Sequence, residues 1–378
     1  MKKLVFFPSD PIEAYIKKGR TYSFLEQYYN PGGYFDEVVC LSPWGDEEEK
    51  IVSNIRYIKA DPCIYKRIIK NIKPDVVRGY GGYRCSDWAA YSKVHGIPTI
   101  VSVHDTNPDL IYDSIAYADG IICMSNAVKD AVIRKVGNVT DNIWIMPNRI
   151  DTDLFKKNHD VKYIEKLNKI YGERKHILHV GRKVKQKNLD TVIKALKYID
   201  DACVIFIGQG DANIYKEMAK EEGVEKRCFW INRVPNEEMP YWYSWCDCMC
   251  TPSRWEGFGY VFVEAAACET PIITSNIGPM NEYLENGENA ILVDDYENPI
   301  EIAKAIKKCF SNNNDILEMR TNARNVGLKF SKDIVDRQEI EIYKQMIDMG
   351  ASTKNFYNLK YNMIFKGFLN KSVINRYY

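Results

Sequence analysis

The sequence predicts an α/β protein made of two Rossmann-like βαβ domains with a cleft between them. Short apolar runs alternate with helical periodicity along the chain, the pattern of a mostly parallel sheet covered by helices. The alternation runs twice, once on each side of a polar stretch at residues 156–163. The 378 residues are enough for two domains of ordinary size.

In the first series, residues 4–7, 37–41, 76–77, 99–103 and 120–124 read as strands, with helices at 50–59, 63–72, 86–95 and 126–136. Ser125 is placed to cap the last helix and Gly137 to end it. In the second series, strands are expected at 176–180, 203–207, 228–231, 248–251, 271–274 and 290–293. Helices are expected there at 188–198, 212–222, 236–245, 260–268 and 299–310. The expected domains are 1–158, joined by a tail at about 350–378, and 159–349.

Apolar residues make up 46% and charged residues 27%, as in soluble globular proteins. A formal net charge of +1 gives no polyelectrolyte character and does not suggest a nucleic-acid partner. No run approaches the roughly 18 apolar residues of a membrane-spanning helix. The start, Met1-Lys2-Lys3-Leu4-Val5-Phe6-Phe7-Pro8, is too briefly apolar for a signal peptide and reads as a first buried strand. Eleven cysteines without a CxxC pair imply reduced thiols in the cytoplasm. Cys246, Cys248 and Cys250, spaced by two, read as buried residues on one strand face rather than a zinc site. Residues 351–378 carry Lys354, Lys360, Lys366, Lys371 and Arg376 among aromatics, with no Asp or Glu. Two readings follow: a tail that packs back on the first domain, or a surface for anionic lipid.

Chemistry concentrates in three loops that each follow an expected strand. Residues 252–265 contain Glu256-Gly257-Phe258-Gly259-Tyr260-Val261 and Glu264 at a strand-to-helix corner. Glycines there let backbone N–H groups approach a ligand, and a helix N-terminus favours negative charge. Glu256 and Glu264 would stand roughly 10 Å apart along the axis, a spacing that suits a sugar and a ribose on either side of a diphosphate. An ordinary corner with two surface glutamates has the same spacing. The second loop, Gly181-Arg182-Lys183-Val184-Lys185-Gln186-Lys187, offers Arg182 as a planar fork and Lys187 as a point charge for phosphate. Lys183 and Lys185 read as solvated. The third, Gly208-Gln209-Gly210, is a short glycine turn after the next strand.

These residues resemble the family-4 retaining glycosyltransferases, which have the GT-B fold. Gly181-Arg182 with Lys187 is similar to their GR…K element, and Glu256 to Glu264 fits their E-x7-E motif. Pro147-Asn148-Arg149-Ile150-Asp151…Phe155 resembles their PNGVD…F segment. Residues 264–273 resemble EAMAxGxPVI, and Glu282 follows in place. The resemblance implies a donor-binding second domain and an acceptor-side first domain. It implies that Arg182 and Lys187 bind the diphosphate, Glu264 the ribose and Glu256 the donor sugar. It further implies that Gly257, Phe258, Gly259, Tyr260 and Val261 offer backbone contacts and that Arg233 and Val234 face the base, while Gly181 belongs to the GR…K element and the Gly208–Gly210 turn, after the next strand, is placed to shape the same cleft. His104, after the strand at 99–103, resembles the family's histidine near the donor sugar. Tyr80, Gly81 and Gly82 are placed to line the acceptor side, with tight-turn glycines as the plainer reading. The loop at 9–20 departs from the family in lacking paired glycines.

The resemblance implies transfer of a sugar from a nucleotide-diphosphate sugar to an acceptor hydroxyl, with retention and without a metal or other cofactor. The acceptor would be a saccharide, a lipid-linked or another hydroxyl, in cell-surface polysaccharide or glycolipid synthesis in the cytoplasm or at the inner membrane face. A sugar-nucleotide 2-epimerase or a phosphorylase on the same fold is the alternative. A nicotinamide oxidoreductase built on the Gly208 turn is a remote one.

Overall fold

A computed structural model describes residues 1–137, 140–311 and 313–352. It divides into two compact units, one of Met1–Pro147 with the chain from Val335 onward, the other of Asn148–Ile334.

The first unit contains β1 (Lys3–Phe7), β2 (Glu37–Ser42), β3 (Glu49–Val52), β4 (Ile55–Lys59), β5 (Val76–Tyr80), β6 (Thr99–Val103), β7 (Gly120–Cys123) and β8 (Ile143–Ile145). They form one sheet in the order β3-β4-β2-β1-β5-β6-β7-β8. Every pairing is parallel except β3 with β4. β1, β5, β6 and β7 are buried on both faces, so none alternates apolar and exposed polar residues, and the polar members Arg78, Thr99 and Ser102 are themselves buried. The helix Asn126–Val136 matches the expected bounds, with the Ser125 hydroxyl accepting from the Val128 N–H at 3.2 Å and Gly137 at φ 81° ending it.

One expected helix is not there. Residues 50–59 form the β3–β4 hairpin, turning at Ser53 and Asn54, both at positive φ (47° and 59°). Two central residues of positive φ match the twist of the flanking strands. The hairpin sits at the sheet edge, where Ile51 is exposed and Arg56 is held to Glu49 at 2.7 Å.

The second unit contains β9 (Lys175–Val180), β10 (Ala202–Ile207), β11 (Cys228–Ile231), β12 (Cys248–Cys250), β13 (Ile272–Ser275) and β14 (Ile291–Val293). Its sheet runs β11-β10-β9-β12-β13-β14, all parallel. Its core joins Ile177, Val204, Phe206, Cys248 and Cys250 to the helices Leu189–Ala195 and Pro299–Phe310. Cys246 is buried as well, but it follows the helix Met239–Trp245 instead of lying on the strand.

The units divide earlier than the expected breaks after 158 and 349. The segment from Asn148 is tied into the second unit: the Ile150 N–H donates to Phe330 O at 2.9 Å, and Arg324 Nη1 to Phe155 O at 2.7 Å. The closing helix Lys332–Met349 carries Glu339 and Tyr343 to Arg78 of β5. Arg78 Nη1 is ion-paired with Glu339 and donates to Tyr343 at 2.7 Å, while Nε donates to Ser102 at 3.0 Å. Arg78 is 1% exposed and Glu339 not at all. The basic aromatic tail from residue 353 lies outside the described residues.

Candidate active site

Two loops far apart in the chain meet at the carboxyl ends of β9 and β12. The loop after β9 runs from Gly181 to a short turn at Lys185–Lys187. The loop after β12 runs through Ser253, Glu256 and Phe258 to the helix Tyr260–Ala267. Lys187 Nζ forms a buried ion pair with Glu256 Oε1, and the Ser253 hydroxyl donates to the same oxygen at 2.7 Å. A carboxylate removed from water needs such partners. Behind Lys187, buried His179 of β9 hydrogen-bonds the Lys187 carbonyl through Nε2 at 2.8 Å. Burial holds this ring at a pKa of about 4, so it is neutral at physiological pH and Nε2 is the donor.

Sequence reasoning missed the strap that joins these loops. Arg254 grips Asp190 with Nη1 at 3.0 Å and Nη2 at 2.8 Å, and reaches Glu297 at 2.7 Å. Its N–H donates to Gln186 O at 2.8 Å, and Gln186 Nε2 donates back to Trp255 O at 2.7 Å. Forked arginine–carboxylate contacts fix orientation as well as charge. Only the partners' folding together reveals them, because Arg254 and Asp190 are 64 residues apart.

Arg182 is exposed on the same loop, its guanidinium 3.3 Å from Gln186 Oε1. Gly208 is required by close packing, since a Cβ there would lie 1.9 Å from Gly181 O. Gly259, at φ 84°, opens the Tyr260–Ala267 helix, and its Cβ would strike the Phe262 ring at 2.5 Å. Phe258 is buried beneath Tyr283, whose hydroxyl donates to Phe258 O at 2.8 Å. Tyr260 places its hydroxyl on Arg149 O. Gly257 and Val261 are partly exposed beside them. Glu264 is buried on the second turn and accepts from the Tyr243 hydroxyl at 2.9 Å. Burial and the Glu264 charge hold that phenol far above its ordinary pKa, so it remains a donor. Arg233 and Val234 follow β11, Arg233 exposed and Val234 partly so.

Lys183 corrects an expectation. It is 4% exposed rather than solvated, and its ammonium bonds the Gly208 carbonyl, Ile231 O at 3.1 Å and Asn232 Oδ1 at 3.3 Å. Gly210, at φ 123°, packs against it, since a Cβ there would lie 3.1 Å from Lys183 Cβ. Lys185 is exposed, as expected.

In the first unit His104 follows β6. Its Nε2 is buried without a hydrogen-bond partner among the described residues, and burial with the Arg78 charge lowers its pKa to about 4. Tyr80 corrects its assignment to the acceptor side: it is 2% exposed and packs in the core against Tyr29 (4.8 Å between ring centroids) and under Arg78. Gly81 and Gly82 turn the chain beside it, and a Cβ at Gly82 would lie 2.8 Å from Leu110 O. No group of three or more His, Cys, Asp or Glu among the described residues could hold a metal ion. No helix among them is long and apolar enough to cross a membrane.

Residues 36–154 match the family model described as Glycosyltransferase Family 4, and residues 160–326 the one described as Glycosyl transferases group 1. An uncharacterised glycosyltransferase of Methanocaldococcus jannaschii is 25% identical over 301 residues, which span 71% of this chain and 76% of that protein. The Anabaena protein HepE, solved in complex with UDP, superposes with a TM-score of 0.74 at 18% identity, covering 91% of this chain and all of that one. A glycosyltransferase from Rickettsia africae gives a TM-score of 0.76 at 18% identity, covering 92% of this chain and 98% of that one. The chain belongs to the family-4 glycosyltransferases and has the GT-B fold.

Proposed function

We propose that the protein transfers a sugar from a nucleotide-diphosphate sugar to an acceptor hydroxyl with retention at the anomeric carbon. The carrying observation is the buried Lys187–Glu256 pair, which joins the GR…K loop to the first acid of the E-x7-E motif. In this reading Lys187 and Arg182 receive the diphosphate, with the N–H groups at the Tyr260–Ala267 helix start. Glu256 holds the donor sugar and Glu264, steadied by Tyr243, the ribose. Gly181, Gly208 and Gly210 let the backbone approach the nucleotide, and Arg233 and Val234 face its base. His104, neutral at physiological pH, hydrogen-bonds a sugar hydroxyl.

The bond between the anomeric carbon and the diphosphate oxygen breaks, with positive charge growing on the sugar and negative charge on the departing phosphate. The acceptor oxygen bonds to the same face, and its proton passes to that phosphate. Fixed cations and N–H dipoles stabilise this charge most in a site that excludes water. No metal enters the scheme. Similarity to HepE, solved with UDP, supports a nucleoside diphosphate as leaving group. The acceptor class we favour is a saccharide or lipid-linked hydroxyl of cell-surface polysaccharide or glycolipid synthesis, met in the cytoplasm or at the inner membrane face. The test is Glu256→Ala and Lys187→Ala, each assayed with a panel of UDP-, GDP- and ADP-sugars. Both should lose about 100-fold or more of transfer, the scale of removing one transition-state contact. Undiminished transfer in both would overturn the assignment.

A further inference from the structure

The donor reading uses Arg182 and Lys187, yet a third cation of the same loop, Lys183, is buried at the ends of β10 and β11. The carbonyls of Gly208 and Ile231 lie at the carboxyl ends of β10 and β11, where ligands of open α/β sheets bind. A phosphate arriving at β9, β10 and β11 would face partial negative charge. Lys183 covers that charge. Its ammonium takes Gly208 O, Ile231 O and Asn232 Oδ1, and its backbone N–H takes Gln209 O at 2.8 Å. All of these partners are neutral, and no carboxylate pairs with it among the described residues. A buried charge without a counter-charge is costly. Burial and the nearby Lys216 accordingly pull its pKa below the ordinary lysine value. The two loops it joins are already at contact, with Gly181 N–H donating to Ile207 O at 2.9 Å and Gly208 N–H to Ile231 O at 3.0 Å. Hydrogen bonding alone therefore leaves the positive charge at this place unexplained, and an incoming anion would balance it.

We propose that Lys183 is a positioning residue for the phosphates of the nucleotide: it masks the strand-end carbonyls and leaves one positive charge that a bound phosphate completes. The proposal rests on the donor reading above. Its signature is a dependence on ligand charge, which a scaffolding role would lack. Binding is measured for uridine, guanosine and adenosine, each as nucleoside, monophosphate and diphosphate, on the full-length protein. Lys183→Gln keeps hydrogen-bond donors but removes the charge. The gain in affinity from nucleoside to diphosphate should fall by about tenfold or more, the scale of a lost charged contact, while nucleoside affinity holds. Lys183→Arg, which keeps the charge, should restore most of that gain. Should Lys183→Gln fail to fold, Asn232→Asp sets a carboxylate against the intact lysine and should cause the same loss. An unchanged gain in the folded variant, or an equal loss for nucleoside and diphosphate, overturns the proposal. Wild-type protein that binds no nucleotide overturns the donor reading itself, before any variant is made.

Discussion

Glu339→Leu should destabilise the first unit strongly. The perturbation removes the carboxylate from Arg78, which is 1% exposed and left with the Tyr343 and Ser102 hydroxyls at 2.7 and 3.0 Å. Breaking a buried ion pair on one side costs about 3–5 kcal/mol, because the remaining charge stays desolvated. For a unit of this size each kcal/mol moves the midpoint by about 2–4 °C, so a fall of roughly 10 °C is expected. Scanning calorimetry of the whole chain reads it, since two units can give two transitions. Pairing Glu339→Leu with Arg78→Met removes the orphaned charge and should recover most of the loss, as apolar replacement of buried pairs often does. A single variant melting within about 2 °C of wild type, or a double variant as damaged as the single, would refute the reasoning.

Gly208→Ala should part the two loops it separates, since its Cβ would lie 1.9 Å from Gly181 O. The expected cost is about 1–3 kcal/mol, together with loss of the thermal shift by UDP or GDP; an unaltered shift would count against close loop packing as a condition of binding. Acid should weaken the fold through His104 and His179, whose pKa values fall from 6.5 to about 4 on burial. Each neutral ring contributes stability that is fully present above about 6.5 and lost as pH falls toward 4, at up to about 1.4 kcal/mol per pH unit. Urea titrations at pH 4.5 to 7 should show a shallower slope in His104→Asn and His179→Asn, and slopes equal to wild type would argue that both rings are already charged or solvated.

Legibility followed the range of the forces involved. The strands of the second unit were readable because parallel strands buried on both faces leave continuous apolar runs. The helix Asn126–Val136 was readable because its cap and stop are local. The β3–β4 hairpin was not, because Ile51, Ile55 and Ile58 are spaced like one face of a helix. The deciding feature is the positive-φ turn at Ser53 and Asn54. In the candidate site, motif wording singled out Glu256, Glu264, Gly181 and Lys187, and the fold brings Lys187 and Glu256 into one buried pair. Lys183 was not, because a lysine in a basic run looks solvated until the carbonyls of residues 208 and 231 close over it. Arg254 was missed because its partner Asp190 is 64 residues away in the chain, and Tyr80 was misread because a residue at a strand end gives no hint which way its ring turns.

Arg78 has a consequence for synthesis. Its counter-ion is 261 residues downstream, which a ribosome adding 5–20 residues per second supplies roughly 13–50 s later. Until then the nascent first sheet carries a guanidinium meant for its interior, and that part of the sheet stays open to water. The intervening unit is contiguous in sequence, so it can complete its own core first. A chain interrupted before residue 339 would leave the opening sheet permanently short of the helix Lys332–Met349 and unable to neutralise that strand.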